Sequence, residues 1–280
     1  MTSIPIEHAR RHFAEELRHL ANIRDDRVIE AFATVPRERF VGDGPWHFYD
    51  QFEAQYWQAA DTDPRRVYHN VLIALDPTKR LNTGEPSLWA RHFDALRIGA
   101  GERVLQIGTG TGYFSAILAE LVGRGGQVRA IELDPELAEK SRRNLAAWPQ
   151  VELVEGNGLD ADGGPFDLII AFAGVPAPVP GWHRMLAPAG RALYPLTGEQ
   201  GGFALRIDRQ GELFAARAVW RIWIYPCIGS RAKDDIAQLQ AAFDKLDFRF
   251  IRSLRLDPHE ADGACWLHGD GWCLSCRAPG

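Results

Sequence analysis

The stretch Gly108-Thr109-Gly110-Thr111-Gly112 constrains this chain more than any other. It follows a short apolar run, Arg103-Val104-Leu105-Gln106-Ile107. It precedes a segment from Tyr113 to Val122 whose Phe114, Ile117, Leu118 and Leu121 fall on one helical face. Strand, glycine turn and helix in that order open a parallel-stranded unit. The pattern then repeats. Gln127 to Glu132 reads as a second strand, and Asp134-Pro135 opens a helix reaching about Trp148, with proline in its first turn. Val151 to Glu155 is a third strand. Phe166 to Phe172 is a fourth, and its unbroken apolar run suits a strand covered on both faces. A short helix over 181–186 and a strand from Arg191 to Leu196 complete the alternation. The fold class expected is α/β, doubly wound and mostly parallel.

The flanks read differently. Ile6 to Leu20 and the stretch from Asp25 to Pro36 carry helical spacing. The stretch from Val41 to Asp63 is rich in aromatics (Trp46, Phe48, Tyr49, Phe52, Tyr56, Trp57), and pattern alone leaves it open between packing and a peptide-gripping surface. Tyr68 to Leu75 reads as a possible strand, 81–87 as a polar loop, and Pro86 as the first turn of a helix to about Arg97. After Gly202, Phe203 to Ile207 and Leu213 to Tyr225 add antiparallel strands, Asp234 to Leu246 a helix, and Phe248 to Leu256 and Cys265 to Cys276 further strands. Three regions follow: an N-terminal helical and aromatic part over 1–80, a core over 81–230, and an α+β extension over 231–280.

Composition narrows the function. A net charge of −5 gives no basic excess for a phosphate backbone, so nucleic acid is not expected. No apolar run approaches ~18 residues, so no membrane span is expected. Met1 to Phe13 has no apolar stretch of the kind a secretory signal carries, and 4 cysteines are too few for a disulfide framework. A reducing, cytoplasmic setting is expected.

In an open α/β sheet, ligands bind beyond the carboxyl ends of the strands. The glycine loop stands there, and Glu132 follows Gly112 by 20 positions at the end of the next strand, where a carboxylate can accept from both hydroxyls of a ribose. A dinucleotide fingerprint needs a glycine where Tyr113 stands. Gly-x-Gly-x-Gly with a downstream acid instead resembles the S-adenosyl-L-methionine methyltransferase fold, a Rossmann-like sheet. That resemblance implies a cofactor set of Gln106, Gly108, Thr109, Gly110, Gly112, Tyr113, Glu132, Leu133, Asn157 and Gly158.

The resemblance extends further. Arg27-Val28-Ile29-Glu30-Ala31-Phe32 leading to Val35-Pro36-Arg37-Glu38-Arg39-Phe40-Val41, then Gly164 to Ile170, Ala173-Gly174-Val175-Pro176, Met185 to Arg191, and Val219 to Cys227, is similar to the protein-L-isoaspartate O-methyltransferases. It covers roughly residues 22–230. It implies methylation of a carboxylate in a protein or peptide, and protein repair. The family's Thr-x-Ser-x-Pro stretch maps onto Asn82-Thr83-Gly84-Glu85-Pro86, which places Asn82, Thr83, Gly84 and Glu85 on the acceptor side. Asn82 stands for the threonine and Gly84 for the serine; Gln106 and Asn157 stand where acids are usual. A different small-molecule or modified-peptide acceptor, or binding without turnover, are the alternatives. A carboxylate acceptor is already ionised at neutral pH and needs no base. An alcohol or amine would need one, with His69, His92 or Glu85 as candidates.

Cys265-x-x-His268 and Cys273-x-x-Cys276 have metal-like spacing. With Asp270-Gly271 as a hairpin turn, Cys265 would face Cys276 and His268 would face Cys273. Alternation then sends the two pairs to opposite faces, so no metal is expected.

Overall fold

A computed structural model describes residues 4–76, 81–230 and 232–280. Its contacts divide the chain into two interleaved bodies. One comprises Met1–Gly101, Thr109–Val128 and Asp134–Leu153; the other comprises Glu102–Gly108, Arg129–Leu133 and Val154–Gly280.

The first body is mainly helical. Helix α1 (Ile6–Ala21) buries Phe13, Ala14, Leu17 and Ala21, and α2 (Asp26–Thr34) buries Val28, Ile29, Ala31 and Phe32. Asp25 caps α2 by accepting from the Arg27 backbone N–H. Pro36 follows, and a single 3-10 turn covers Arg37–Phe40. Strands β1 (His47–Asp50) and β2 (Gln55–Gln58) form an antiparallel hairpin. It divides the aromatic cluster: Trp46 and Phe48 are buried, while Phe52 and Trp57 are exposed.

The strand expected over 68–75 is only β3 (Ala74–Asp76), paired with the two-residue β4 (Leu81–Asn82). The reason is Arg37. Its guanidinium takes the carbonyls of Val67, His69 and Val71 at 2.8, 2.7 and 2.9 Å, and the His69 carbonyl also accepts from Val71 N–H at 2.9 Å, a tight turn that keeps this stretch from extending. Helix α3 (Pro86–Leu96) ends at Arg97, and its Asp94 accepts from the backbone N–H of Arg24 and Asp25.

The second body holds most of a ten-stranded sheet. Its strands are β5 (Arg103–Ile107), β6 (Gln127–Glu132), β7 (Val151–Glu155), β8 (Phe166–Ala171), β9 (Leu186–Gly198), β10 (Gly201–Gln210), β11 (Leu213–Ile222), β12 (Ser253–Arg255), β13 (Cys265–Gly269) and β14 (Trp272–Ser275). Their order is β13-β14-β12-β11-β10-β9-β8-β5-β6-β7. The reversal of direction after β7 is the doubly wound signature, with β5 and β8 at the switch point. Helices α4 (Tyr113–Val122) and α5 (Pro135–Asn144) link β5 to β6 and β6 to β7, and α6 (Pro180–Arg184) precedes β9.

Among the described residues β5–β8 and β8–β9 pair in parallel, whereas every pairing from β9 outward is antiparallel. The antiparallel addition is therefore larger than the sequence suggests. Strand β11 stops at Ile222, short of the expected Tyr225, because the chain leaves it for Gly174, whose N–H donates to the Tyr225 carbonyl. Residues 248–250 form a 3-10 turn rather than strand. Helix α7 (Lys233–Lys245) and the hairpin β13–β14 contribute Leu239, Trp266, Leu267 and Leu274 to the same apolar core as Leu105, Ile169 and Leu205.

Candidate active site

Strand ends set the geometry in the second body. Gly108 N–H donates to Ile131 O at 2.9 Å, which holds the ends of β5 and β6 together, and Gly156 N–H donates to Glu132 O at 2.8 Å, which adds the end of β7. At this rim Glu132 is 7 % exposed, a buried carboxylate, while its neighbour Leu133 is 41 % exposed. An exposed leucine thus adjoins a buried acid at this strand end. Gln106, inside β5, has its side-chain oxygen buried with no hydrogen-bond partner among the described residues; its amide nitrogen is 3.5 Å from the Gly108 carbonyl. Asn157 uses its side-chain oxygen to cap a 3-10 turn through Leu159 N–H at 3.0 Å. Its expected part as an acceptor for a ligand is thus shared with a structural bond. Gly158 is a packing glycine: a Cβ there would meet Ile107 at 2.3 Å, and its carbonyl accepts from the Trp182 indole.

The loop continues into the first body. Gly110 has φ +60°, and a Cβ there would meet nothing within 4 Å, so its outer side is open. Gly112 answers to packing, since a Cβ would lie 2.8 Å from Ser141 Oγ and 3.0 Å from Leu145. Asn144 Nδ2 donates to the Thr111 carbonyl at 2.9 Å and pins the loop, a support that a polar residue at a helix end did not signal. Thr109 Oγ1 is buried with no hydrogen-bond partner among the described residues. The Tyr113 ring packs on Phe40 and Phe32.

The segment 82–85 also lies in the first body. Asn82 Oδ1 accepts from Gly84 N–H at 2.9 Å, and its amide nitrogen is 3.4 Å from Tyr56 Oη. Thr83 Oγ1 donates to the Gly84 carbonyl and accepts from Ile73 N–H, each at 3.2 Å, with Arg37 Nη2 at 3.4 Å. Both side chains therefore build the turn. Gly84 has φ +73°, and a Cβ there would lie 2.8 Å from Trp89 Nε1. Glu85, expected to favour the start of α3, accepts instead from Asn70 Nδ2 and Ser87 Oγ, while Asn70 Oδ1 takes the Ser87 backbone N–H.

The candidate bases separate. His69 is exposed, with its carbonyl on Arg37. His92 is 1 % exposed against the Trp89 ring; burial pushes its pKa down to about 3, so its imidazole is neutral. Arg37, which sequence reasoning missed as a structural centre, is fully buried; burial lowers its pKa to about 10, still charged at neutral pH.

In the second body the orphaned Gln106 oxygen and the buried Glu132 carboxylate stand on adjacent strands, and in the first body the Thr109 hydroxyl is orphaned and the turn at Gly110 is open; each is a group of the kind a nucleoside with a charged amino-acid tail uses. The residues fit S-adenosyl-L-methionine.

Comparison with known proteins agrees in kind. Residues 8–230 match the family model for protein-L-isoaspartate(D-aspartate) O-methyltransferase. A Methanothrix thermoacetophila protein-L-isoaspartate O-methyltransferase is 31 % identical over 214 residues, 75 % of this chain and 91 % of its own length. One from Koribacter versatilis is 35 % identical over 178 residues, 62 % of this chain and 70 % of its own. A solved protein-L-isoaspartate O-methyltransferase superposes with a TM-score of 0.67 at 21 % identity, over 85 % of this chain and 70 % of that one. A Plasmodium falciparum structure titled as such an enzyme, in complex with S-adenosyl-L-homocysteine, gives 0.63 at 16 % identity over 78 % and 97 %. At these identities the structures speak for the fold. No helix among the described residues is long and apolar enough to cross a membrane.

Proposed function

Because this chain belongs to the protein-L-isoaspartate(D-aspartate) O-methyltransferase family, we propose that it is an S-adenosyl-L-methionine-dependent O-methyltransferase acting on a carboxylate of a protein or peptide, in a repair role. The observation that carries this reading is Glu132, a carboxylate 7 % exposed at the end of β6, where Gly108 N–H on Ile131 O ties that strand end to the end of β5. Glu132 would hold the ribose hydroxyls; Gly108, Thr109 and Gly110 would face the methionyl part; Leu133 would cover one face of the adenine; Asn157 and Gly158 would border its edge. The bound cofactor supplies a sulfonium methyl, which passes to a carboxylate oxygen and leaves S-adenosyl-L-homocysteine and an ester. The chain's own task is alignment and exclusion of water. No proton has to be removed from an ionised carboxylate, which accords with a buried, neutral His92. We assign 1–80 to the acceptor side, 81–230 to the cofactor core and 231–280 to an extension.

A second acceptor class is favoured by one observation. The serine position of the family holds Gly84, closed to any side chain by Trp89, and the exposed Glu85 next to it would repel an anion. A small-molecule or modified-peptide acceptor fits that pattern. Incubation with methyl-labelled cofactor, an isoaspartyl peptide, its aspartyl control and cell extract decides. Base-labile label in the isoaspartyl peptide alone supports the main reading. Label only in extract moves the acceptor to the second class. Tight cofactor binding without label anywhere would leave a binding protein and remove the enzymatic reading.

A further inference from the structure

The extension beyond the family match carries a group of donors that the methyl-transfer reading does not use. His259, Cys265 and His268 place one ligand atom each within 4.8 Å of one another, and Cys265 is buried. Strand register explains how they meet. His268 stands opposite Cys273, as the turn at Asp270-Gly271 requires. Cys265, however, stands opposite Ser275 and not Cys276, because a bulge between Cys265 and Leu267 inserts one extra residue. The insertion reverses the alternation, so Cys265 joins His268 and Cys273 on one face. This corrects the expectation that Cys265 and His268 face opposite ways. His259, on the preceding loop, closes over the same face with its Nε2 at 3.8 Å from Cys265 Sγ.

Each imidazole is also oriented as a metal ligand needs. His259 Nδ1 is 2.7 Å from the Asp257 carbonyl, which makes that nitrogen the N–H donor and leaves a lone pair on Nε2 toward Cys265. His268 Nε2 is 3.0 Å from the His259 carbonyl, which leaves its Nδ1 as the ligand atom. A backbone carbonyl on the far nitrogen of both rings is the outer-shell pattern of zinc sites. Cys273 stands beside this group, opposite His268 in register, but outside its 4.8 Å reach; the Cys265 thiol also lies 3.7 Å from Asp262 Oδ1. Arg255, opposite Cys273 in register, is held by Asp257 at 2.6 Å, and Arg277 is held by Asp262 at 3.0 Å.

We propose that His259, Cys265 and His268 form a structural site for a thiolate- and imidazole-preferring divalent ion of the zinc class, with the fourth position left for a solvent ligand. Thiolate plus imidazole donors select zinc over magnesium or calcium. Binding would replace the Cys265 thiol proton by the metal and release that proton to solvent. The ion would fasten the 257–264 loop to the hairpin β13–β14 in a part of the chain built from short strands.

The test uses the full chain, reduced and stripped of metal with a chelator, then titrated with cobalt(II) chloride and with zinc chloride. The expected result is one ion per chain, a thiolate-to-cobalt charge-transfer band with tetrahedral visible bands, displacement by zinc, and a rise of several degrees in the melting midpoint. Cys265→Ser and His268→Gln should abolish the band, and Cys276→Ser, on the other face, should keep it. Far-ultraviolet circular dichroism of each metal-free variant must match the metal-free parent; should Cys265→Ser not fold, His259→Gln takes its place. Absence of binding at ~10 μM metal, weak against structural sites, would overturn the site. So would a cobalt spectrum without thiolate character, or one unchanged in Cys265→Ser. None of these readouts depends on methyl transfer.

Discussion

Gly84 closes a position as well as leaving it bare. Its left-handed backbone and the Trp89 indole together reject a side chain, so restoring the family's serine should not restore the family's loop. Gly84→Ser should lower stability by about 1–3 kcal/mol, the range for overpacking and backbone strain, without raising isoaspartyl turnover. A denaturant titration beside a turnover assay checks this, and a stable, more active variant would refute it. Glu132→Ala should weaken S-adenosyl-L-methionine binding by about 1.5–3 kcal/mol in calorimetry, the worth of a hydrogen bond to a charged group; unchanged affinity would take Glu132 out of the site. Arg37→Met should cost at least ~3 kcal/mol in a chemical melt, because three backbone carbonyls lose a charged donor at once. That Glu132 ends β6 was legible in the sequence because the apolar run breaks there. Arg37 was not. In Arg37-Glu38-Arg39 it reads as solvated charge, and the carbonyls that bury it come from about thirty residues away.

At the scale of elements, apolar pattern served best in the helices and in the strands of the parallel core. Helices α1, α3 and α4 and strands β5 to β8 lie within a residue or two of their expected bounds. Short pieces failed where side chains took the backbone bonds, as Arg37 does before β3, or where a bulge reset the register, as between Cys265 and Leu267. The family match ends at residue 230, yet β12 pairs with β11, and Leu239 and Trp266 sit in the core shared with β5 and β8. A chain ending at Ser230 should therefore expose the β11 edge and that core. It should be recovered as aggregate or melt without a cooperative transition. A soluble, cooperatively melting truncation would show the extension to be dispensable.

For the whole molecule, two buried histidines set the acid limit. Burial holds both His92 and His183 near a pKa of about 3, against 6.5 in the unfolded chain. Above pH 6.5 both states carry neutral imidazoles and stability does not change on their account. As pH falls from 6.5 toward 3, the unfolded chain gains protons that the folded chain refuses. Stability should drop by roughly 1.4 kcal/mol per pH unit for each histidine. Denaturant midpoints at pH 7.5 and 5.5 measure this before carboxylates enter, and His92→Phe should flatten the slope; equal midpoints at the two pH values would contradict the assignment. The sheet order has one more outcome, in time rather than energy. Strands β6 and β7 join one side of β5, β8 to β12 extend the other in turn, and the closing hairpin is added as a pair. No strand must be threaded between two partners already joined, so a nascent chain can lay the sheet down in the order the ribosome delivers it, always onto a free margin.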